Sequence, residues 1–489
     1  MIKVLTMKLP LLLVLLILSG CQTVAVKTFP VLEDEGEVFV YLQPSTHEVD
    51  RLSFSLTGLA ALREDGAQFP MSLAMNEFIG KDMTRQRLIA AGRLPAGRYS
   101  GFLVTIKGAT LKAERGEVKL IVPETPQKRD FLFKVEKKRA RVVTLALNYA
   151  ESRPNEFTFD PMFFITSPSH PLAEVLGYVA NTGRNTITVF DKMHLQAMDV
   201  IATGDAPRGI ALDPRLRRAY VVLSGDDTVE VLDLNDQSVI ARVMLQRGDD
   251  PQEAVLTPDG QTLLVADAGS DTVSVIDTLS LVEVNRISVA NTTALPDISR
   301  TSSGRSPRSL VIDRTGRKAF VFNSLSDNIS VIDISSRQTS DWQVIGTIGT
   351  GPEPVRGQFN RAGDRLYVIH EMYPYLLAID PASFSVVKRV LLGTGAISLK
   401  VDTRTDLIYI GKRNDSVVTI YDPFSFSPVY SIPTGGTAGF MTIDNETNNL
   451  YLVVPGRKVL MVVNLASRKP VTEIDISELP AWVTVMGER

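Results

Sequence analysis

Hydrophobic and polar residues alternate in short runs along most of the chain, and from about residue 174 onwards these runs recur as a repeat. Each repeat contains an apolar pair of the Tyr-Val kind, and an Asp or Asn always follows it at the same distance. The second residues of the pairs are Val179, Val221, Val265, Val321, Val368, Ile410 and Leu452, and the acids or amides are Asp191, Asp233, Asp277, Asp333, Asp380, Asp422 and Asn464. Residues 174–489 are therefore predicted to form seven structural units, each of about 40 to 55 residues.

Each repeat predicts four β-strands. Two alternating runs flank a polar turn that contains Gly, Asn or Asp, as in residues 178–191, and this pattern is typical of a β-hairpin. An outer strand such as residues 239–245 and an inner strand such as residues 207–213 complete the unit. Four strands in a repeat of this length have the size of a propeller blade, and seven blades packed radially bury both faces of each sheet.

The order of the strands predicts how the ring closes. The repeats begin on a hairpin strand and the chain ends on an inner-type strand at residues 480–485, so we expect the last strand to complete the first blade. We expect the repeated Asp to accept hydrogen bonds from backbone N–H groups of its own turn, as Asp and Asn commonly do. The predicted fold class is all-β, with an N-terminal β-sandwich followed by a seven-bladed β-propeller.

The repeats resemble the YVTN family of seven-bladed β-propellers. The family pattern Y-V-x-N-x-x-x-N/D-T-V/I-x-V-I-D is visible in residues 178–191, 264–277 and 320–333. The sequence lacks the Trp-Asp and Gly-His signatures of WD40 repeats, and Trp342 and Trp482 are too few tryptophans for the eight-bladed quinoprotein type. The resemblance implies a kinship with seven-bladed lactonases, and also with propellers that accompany quinoprotein or cytochrome systems.

Residues 28–165 predict the β-sandwich. Short alternating runs separated by turn residues occupy residues 37–43, 51–57, 99–107, 117–122, 130–135 and 141–148. Residues 94–99, Leu-Pro-Ala-Gly-Arg-Tyr, resemble the entry to a strand in transthyretin-like β-sandwich modules of bacterial surface proteins. The stretch 128–141 is rich in Lys and Arg and is either a solvated strand face or a contact with anionic lipid headgroups or polysaccharide. Residues 166–173, with two prolines and two serines, predict a linker to the propeller at 174–489.

The first residues indicate export from the cytoplasm. Two lysines precede an apolar run at residues 9–18, and Leu-Ser-Gly-Cys follows, which resembles the lipobox of bacterial lipoproteins. The resemblance implies that residues 1–20 are a signal peptide, that Cys21 is lipidated, and that residues 21–27 form a tether to the membrane. A plain signal peptide and a short N-terminal anchor are the alternatives. Because Gln22 rather than Asp follows the cysteine, the resemblance implies the outer membrane of the cell envelope in a Gram-negative host.

Composition narrows the chemistry further. The chain is 44% apolar and 22% charged, as in ordinary globular proteins, and its formal net charge of -3 gives no general attraction to nucleic acid. A single cysteine excludes an internal disulfide, a c-type haem and a cysteine-rich zinc site. Four histidines do not predict a histidine-rich metal cage, although a mixed carboxylate site stays open. We therefore predict no cofactor, no resident metal and no nucleic-acid partner.

Candidate binding residues lie on the turns that should surround one end of the propeller channel. The turns into the inner strands and the hairpin turns lie on the same rim of a propeller, and loops carry function more often than strands. The turns into the inner strands contribute Arg208, Arg308 and Arg356, and a hairpin turn contributes Lys412 and Arg413. Converging arginines suit a carboxylate, a phosphate or an anionic sugar, whereas a self-neutralised, solvated rim is the alternative. Other charged residues expected on this rim are Glu253, Arg184, Asp226 and Asp267.

His370 and Glu371 are the candidate catalytic residues. They stand in the fifth repeat, where other repeats have Asn or small residues. A histidine and a carboxylate near a channel can transfer protons or hold a divalent metal. One such pair without further acid–base partners nevertheless favours binding over catalysis.

Three functions follow from the sequence. The main expectation is a non-enzymatic binding or scaffold protein, anchored to the membrane by its lipid, whose propeller binds a protein or an anionic small ligand. The second is a lactonase-like or other hydrolase with its site on the propeller rim at His370 and Glu371. The third is an accessory protein of a periplasmic quinoprotein or cytochrome system.

Overall fold

The computed structural model describes residues 28–113, 116–168, 172–289 and 306–487. Cys21, the expected signal peptide and the expected tether lie outside the described residues, so their predicted roles stay predictions. Within the described ranges, no helix combines the length and the apolar character that crossing a bilayer requires.

The N-terminal domain is a sandwich of two β-sheets. Its strands are β1 Glu35–Leu42, β2 Leu52–Arg63, β3 Gln68–Pro70, β4 Ser72–Leu73, β5 Glu77–Ile79, β6 Arg87–Pro95, β7 Gly97–Ala113, β8 Gly116–Leu120, β9 Gln127–Val135, β10 Ala140–Asn148 and β11 Met162–Thr166. One sheet has the order β11-β10-β1-β6-β4; the other has the order β3-β2-β7-β8, with β5 beside β2 and β9 beside β7. Every second residue of β2 is buried up to Leu56, as expected for a strand with one face on the core.

The propeller consists of seven four-stranded sheets within the described ranges. Blade 1 contains β12 Leu176–Asn181, β13 Thr186–Asp191 and β14 Gln196–Ala202; blade 2 contains β15 Pro207–Asp213, β16 Arg218–Leu223, β17 Thr228–Asp233 and β18 Ser238–Met244; blade 3 contains β19 Pro251–Leu256, β20 Thr262–Asp267, β21 Thr272–Asp277 and β22 Val282–Ser288. Blade 4 contains β23 Pro307–Ile312, β24 Lys318–Asn323, β25 Asn328–Asp333 and β26 Gln343–Gly349; blade 5 contains β27 Pro354–Phe359, β28 Leu366–His370, β29 Tyr375–Asp380 and β30 Ser385–Leu391. Blade 6 contains β31 Ala396–Val401, β32 Ile408–Lys412, β33 Val417–Tyr421 and β34 Pro428–Pro433; blade 7 contains β35 Phe440–Asp444, β36 Asn449–Val454, β37 Val459–Asn464 and β38 Pro470–Asp475.

Helical structure is confined to single turns in the described residues. One short α-helix, α1, spans Tyr149–Ser152. Short 3-10 turns lie at His47–Val49, Gly80–Asp82, Ala173–Val175, Thr339–Asp341 and Pro455–Arg457.

The last strand closes the ring, as the sequence predicts. Strand β39, Pro480–Val485, pairs antiparallel with β12 and becomes the inner strand of blade 1. Blade 1 therefore joins the two ends of the propeller through backbone hydrogen bonds, so ring closure leaves no long unpaired edge between blades 1 and 7.

The repeated Asp stabilises the outer turn of each blade. Asp191 accepts hydrogen bonds from the N–H groups of Met193 and His194, at 2.6 and 3.1 Å. The same arrangement recurs at Asp233, Asp277, Asp333, Asp380, Asp422 and Asn464. The repeat is thus maintained by turn geometry, and the acids that define it are not ligand residues.

The sandwich packs directly against the side of the propeller. Phe39, Tyr41 and Val142 of the sandwich share a buried cluster with side chains of blades 1 and 7. Asp475 at the end of blade 7 accepts hydrogen bonds from Arg85 at 2.6 Å and from Arg87 at 2.9 Å. Apolar packing and partly buried ion pairs together fix the sandwich to the propeller.

Candidate functional site

The turns into the inner strands and the hairpin turns meet at one end of the channel. There they surround an open cavity of about 610 Å³, which we call the mouth. The residues that line the mouth are Arg208, Asp250, Gln252, Ala268, Ser306, Arg308, Val355, Arg356, Glu371, Ile397, Arg413, Thr437, Gly439, Pro455, Gly456, Pro480, Ala481 and Trp482. The volume lies in the range of cavities that bind small molecules.

Each inner strand contributes one equivalent residue to the mouth. Most inner strands have an irregularity at their first residues, where one extra residue has no partner on the neighbouring strand. In blade 4, for example, Pro307 pairs with Asn323 and Ser309 pairs with Phe322, so Arg308 between them is unpaired. We call the seven residues at this position the mouth ring. The mouth ring consists of Arg208, Gln252, Arg308, Val355, Ile397, Gly439 and Ala481, from blades 2 to 7 and then blade 1.

Asp250 faces two arginines on one side of the mouth. Burial raises the pKa of the Asp250 carboxyl above its ordinary value, and the positive charges of Arg208 and Arg308 counteract this rise. Burial lowers the pKa of Arg208, and the like charge of Arg308 lowers it further, whereas Asp250 raises it. A bound anion would relieve the repulsion between the two arginines. This side of the mouth thus combines a carboxylate suited to accept a proton with an anion-binding pair.

Arg356 crosses the channel at the inner end of the mouth. Its Nη1 lies 3.3 Å from Oε2 of Glu253, whose pKa is raised by burial despite this partner. The guanidinium also lies 4.6 Å from the centre of the Phe440 ring and 4.9 Å from that of Trp482. These two rings stack with their centres 3.9 Å apart. The cation is therefore held between a buried carboxylate and an aromatic pair, an arrangement that favours a fixed position.

Arg413 and Glu371 form an ion pair at the edge of the mouth. The Nε of Arg413 donates to Oε1 of Glu371, and this hydrogen bond lowers the pKa of the Glu371 carboxyl. Glu371 is therefore ionised at neutral pH, and its carboxylate is paired with the guanidinium of Arg413. Lys412, in contrast, is not among the described residues that line the mouth; its Nζ donates to the carbonyl of Leu392 at 2.6 Å.

His370 does not lie in the mouth. Its side chain is fully buried, and burial lowers its pKa to about 4, so the imidazole is neutral at neutral pH. Its Nδ1 lies 3.2 Å from the carbonyl of Tyr375, and its ring meets that of Tyr373 edge to face. His370 is the last residue of its strand and stays in the core, whereas Glu371 lines the mouth, so the two side chains do not converge on one substrate.

The remaining rim candidates serve the fold. Arg184 turns away from the channel and pairs with Glu37 of the sandwich at 2.7 Å. Asp226 accepts a hydrogen bond from the N–H of Asp205 at 2.7 Å, and Asp267 accepts one from Ser274 at 2.7 Å. Within the described part of the chain, no cluster of three or more His, Cys, Asp or Glu side chains is arranged to hold a metal ion.

One protein-family model matches part of the propeller. Residues 241–423 match the family described as lactonase, seven-bladed β-propeller. The match runs from the outer strand of blade 2 to blade 6 and includes Asp250, Arg308, Arg356 and Glu371. Comparison with curated protein sequences gives no match.

Solved structures resemble somewhat less than two thirds of the chain. A periplasmic gluconolactonase of Pseudomonas aeruginosa is 17% identical, with a TM-score of 0.51, over 63% of this chain and 98% of that one. A Bacteroides uniformis protein provisionally assigned as a 6-phosphogluconolactonase is 15% identical, with a TM-score of 0.53, over 64% and 99%. A hydrazine synthase of Kuenenia stuttgartiensis is 19% identical, with a TM-score of 0.52, over 60% and 93%. At these identities the resemblance establishes the fold and no more.

The main functional expectation from the sequence is wrong. A non-enzymatic binding or scaffold module was expected because the sequence offered no set of acid–base partners. The lactonase match instead supports the hydrolase alternative. The physical reason for the error is that the mouth assembles Asp250, Glu371 and several arginines from different blades, whose proximity is not visible along the sequence.

Asp250, Phe440 and Trp482 were not recognised as site residues from the sequence. Asp250 directly precedes Pro251, the first residue of an inner strand, and has a left-handed backbone with φ of 46°. Residues at this position in other blades share that conformation, including Ala206, Ser306, Glu353 and Leu479. An alignment of the inner-strand turns would have revealed carboxylates at this position in blades 3 and 5, Asp250 and Glu353, and uncharged residues in blades 1, 2 and 4.

Proposed function

We propose that the protein is a lactonase-like hydrolase and that the mouth is its active site. The observation that carries the proposal is the position of Asp250 beside Arg208 and Arg308 in a cavity of about 610 Å³. The match of residues 241–423 to the lactonase family supports the reaction class. Asp250 and Arg308 both lie inside the matched range.

Asp250 is the proposed general base. Its raised pKa makes it a stronger base than an ordinary aspartate. It accepts a proton from a water molecule whose oxygen attacks the lactone carbonyl carbon. The ring C–O bond then breaks, and Asp250 returns the proton to the leaving alkoxide, so that the product is a hydroxy acid.

The arginines are proposed to bind negative charge. Arg356 is held in place by Glu253 and by the aromatic pair, so it can stabilise the oxyanion that forms on the carbonyl oxygen without prior reorganisation. Arg208 and Arg308 suit a carboxylate or phosphate substituent of the substrate. The proposed substrate is therefore a lactone that carries an anionic group.

The substrate class is tested by hydrolysis of lactone pairs that differ only in one anionic group, followed by base consumption at constant pH. We expect the charged member to have the higher kcat/KM, and Arg308→Met to lower that value about 10- to 100-fold through a higher KM. Arg314→Met is the matched control because Arg314 is an exposed residue of a turn between β23 and β24, on the opposite rim. If the unchanged protein hydrolyses the charged and the uncharged lactone at equal rates, and the Arg308→Met variant does the same, the result would count against the anion site.

We propose further that the protein is a YVTN-type propeller anchored in the bacterial cell envelope. The Leu-Ser-Gly-Cys sequence that ends at Cys21 supports a lipidated N-terminus, and the Leu-Pro-Ala-Gly-Arg-Tyr motif supports a transthyretin-like sandwich. Expression of the full chain in a Gram-negative bacterium should give a protein that fractionates with membranes and carries acyl chains on Cys21, as measured by mass spectrometry. The Cys21→Ala variant should be released or retain its signal peptide. An unmodified Cys21 in the mature protein would refute the anchor.

A further inference from the structure

The mouth ring is divided into a polar side and an apolar side. At the mouth ring, blades 2, 3 and 4 present Arg208, Gln252 and Arg308. Blades 5, 6, 7 and 1 present residues without a polar side chain at the same structural position, namely Val355, Ile397, Gly439 and Ala481. Because these seven residues are equivalent by strand register, the change in polarity follows the order of blades around the ring.

Other residues extend the apolar side in blades 7 and 1. Pro455, Gly456, Pro480 and Trp482 line this arc of the mouth, together with the polar Thr437. In blades 5 and 6 the charged residues Arg356, Glu371 and Arg413 also line the mouth, outside the mouth ring. We call Val355, Ile397, Gly439, Ala481 and Trp482 the apolar wall. A Cβ added at Gly439 would lie 3.2 Å from Pro455, closer than an ordinary contact, so Gly439 packs tightly against Pro455.

Trp482 is the most prominent residue of the apolar wall. It stacks on Phe440, and its Nε1 has no hydrogen-bond partner among the described residues although it is buried. The Trp482 ring is only partly buried and lines an open cavity, so it presents apolar surface to the mouth beside the Arg356 guanidinium, which lies 4.9 Å from the ring centre. An apolar group that covers this surface gains free energy of binding.

We propose that the substrate is an amphiphilic lactone, with an anionic group at Arg208 and Arg308 and an apolar alkyl or aryl substituent on the apolar wall. This inference rests on the proposed lactonase function and specifies its substrate. A sugar lactone, which carries hydroxyl groups around its whole ring, would leave several of them against side chains that cannot hydrogen-bond. The divided mouth thus favours substrates with one polar and one apolar end.

The test compares a five-membered lactone carboxylate with the same compound bearing a four-carbon alkyl chain. Burial of one methylene group favours binding about fourfold, so partial burial of the chain should raise kcat/KM at least about tenfold. The Ile397→Gln and Ala481→Gln variants should lose this preference, because they place in blades 6 and 1 the residue that blade 3 has in the mouth ring. Val429→Gln is the control, since Val429 is 48% exposed on the outer strand of blade 6.

A binding measurement separates this inference from the proposed function. Trp342 and Trp482 are the only tryptophans, so in a Trp342→Phe background the fluorescence reports on Trp482 alone. The ring-opened hydroxy acid with the alkyl chain should change this fluorescence at a concentration at least about tenfold lower than the unsubstituted acid. Equal affinities of both acids, or a preference for a sugar acid, would overturn the inference even if lactones are hydrolysed. The alkyl preference without any hydrolysis would support the inference and refute the proposed lactonase activity.

Discussion

Replacement of Arg184 tests how the sandwich is held on the propeller. Arg184 lies on the hairpin turn of blade 1 with only 6% of its side chain exposed, and it reaches Glu37, which is fully buried, at 2.7 Å. A second carboxylate, Glu478, lies 3.1 Å away, and the ring of Phe29 covers the guanidinium at 4.3 Å. Arg184→Met keeps most of the apolar stem but leaves Glu37 buried without its main partner.

We expect Arg184→Met to lower the free energy of unfolding by about 3 to 5 kcal/mol, the usual cost of removing one partner of a buried ion pair. Arg93 lies 3.9 Å from Glu37 and compensates for part of the charge, so the lower end of this range is the better expectation. The double variant Arg184→Met, Glu37→Gln removes the unpaired charge and should recover about 1 to 3 kcal/mol.

The assay is equilibrium unfolding in urea, followed by tryptophan fluorescence for the propeller and by circular dichroism for the whole chain. Both tryptophans belong to the propeller, so a difference between the two transitions would report separate unfolding of the domains. A loss below about 1 kcal/mol for Arg184→Met would refute the assignment of this pair as a main contact between the domains. A double variant as unstable as the sum of the two single variants would refute the coupling.

Three further predictions follow from single residues. Burial raises the pKa of Asp267 to about 7, so its protonated form stabilises the fold at pH 4, and this contribution is lost as the pH rises through 7. Asp267→Asn should therefore stabilise the protein by roughly 1 to 4 kcal/mol at pH 8 and have little effect at pH 4. Urea unfolding at both pH values measures this difference. His370→Asn should leave the rate of lactone hydrolysis unchanged within about twofold, because His370 lies outside the mouth. The variant should also fold, since the buried Asn181 and Asn323 stand at the same position in blades 1 and 4. A loss of kcat of about 100-fold would refute this placement of His370. Deletion of residues 479–489 removes β39 and should abolish cooperative unfolding of the propeller, whereas a sharp, unchanged transition would contradict the closure through blade 1.

The fold was predictable because the residues that define it act locally. Asp191 and its six equivalents hydrogen-bond within two or three residues of themselves, so their constant distance from the Tyr-Val pair records a single type of turn. The sandwich was predicted less completely. Strand β6, Arg87–Pro95, was missed because its middle residues are all buried and do not alternate with polar ones. A strand buried on both faces has no period of two in its sequence.

The candidate site was predicted only in part, because it depends on how the blades meet. Arg208, Arg308, Arg356 and Arg413 all line the mouth, as expected for residues of the two kinds of turn on one rim. Lys412 precedes Arg413 by one residue and points elsewhere, a difference that the sequence pattern does not contain. The importance of Asp250 arises from the electrostatic influence of arginines from two other blades, and the proximity of blades follows from ring closure and not from local sequence.

The rate of lactone opening by the purified full-length protein, compared with that of its Asp250→Asn variant, is the most direct test of the account. Base consumption should be measured with an anionic lactone between pH 5 and 9, and the rate of spontaneous hydrolysis should be subtracted. The control is the Asp236→Asn variant, because Asp236 lies on an exposed turn of blade 2. We predict turnover by the unchanged protein above the spontaneous rate, and a loss of about 10²- to 10⁴-fold in kcat for Asp250→Asn. Equal turnover by Asp250→Asn and the control variant would contradict the assignment of the base, and a rate no higher than the spontaneous one across charged, uncharged and alkylated lactones would contradict the lactonase function itself.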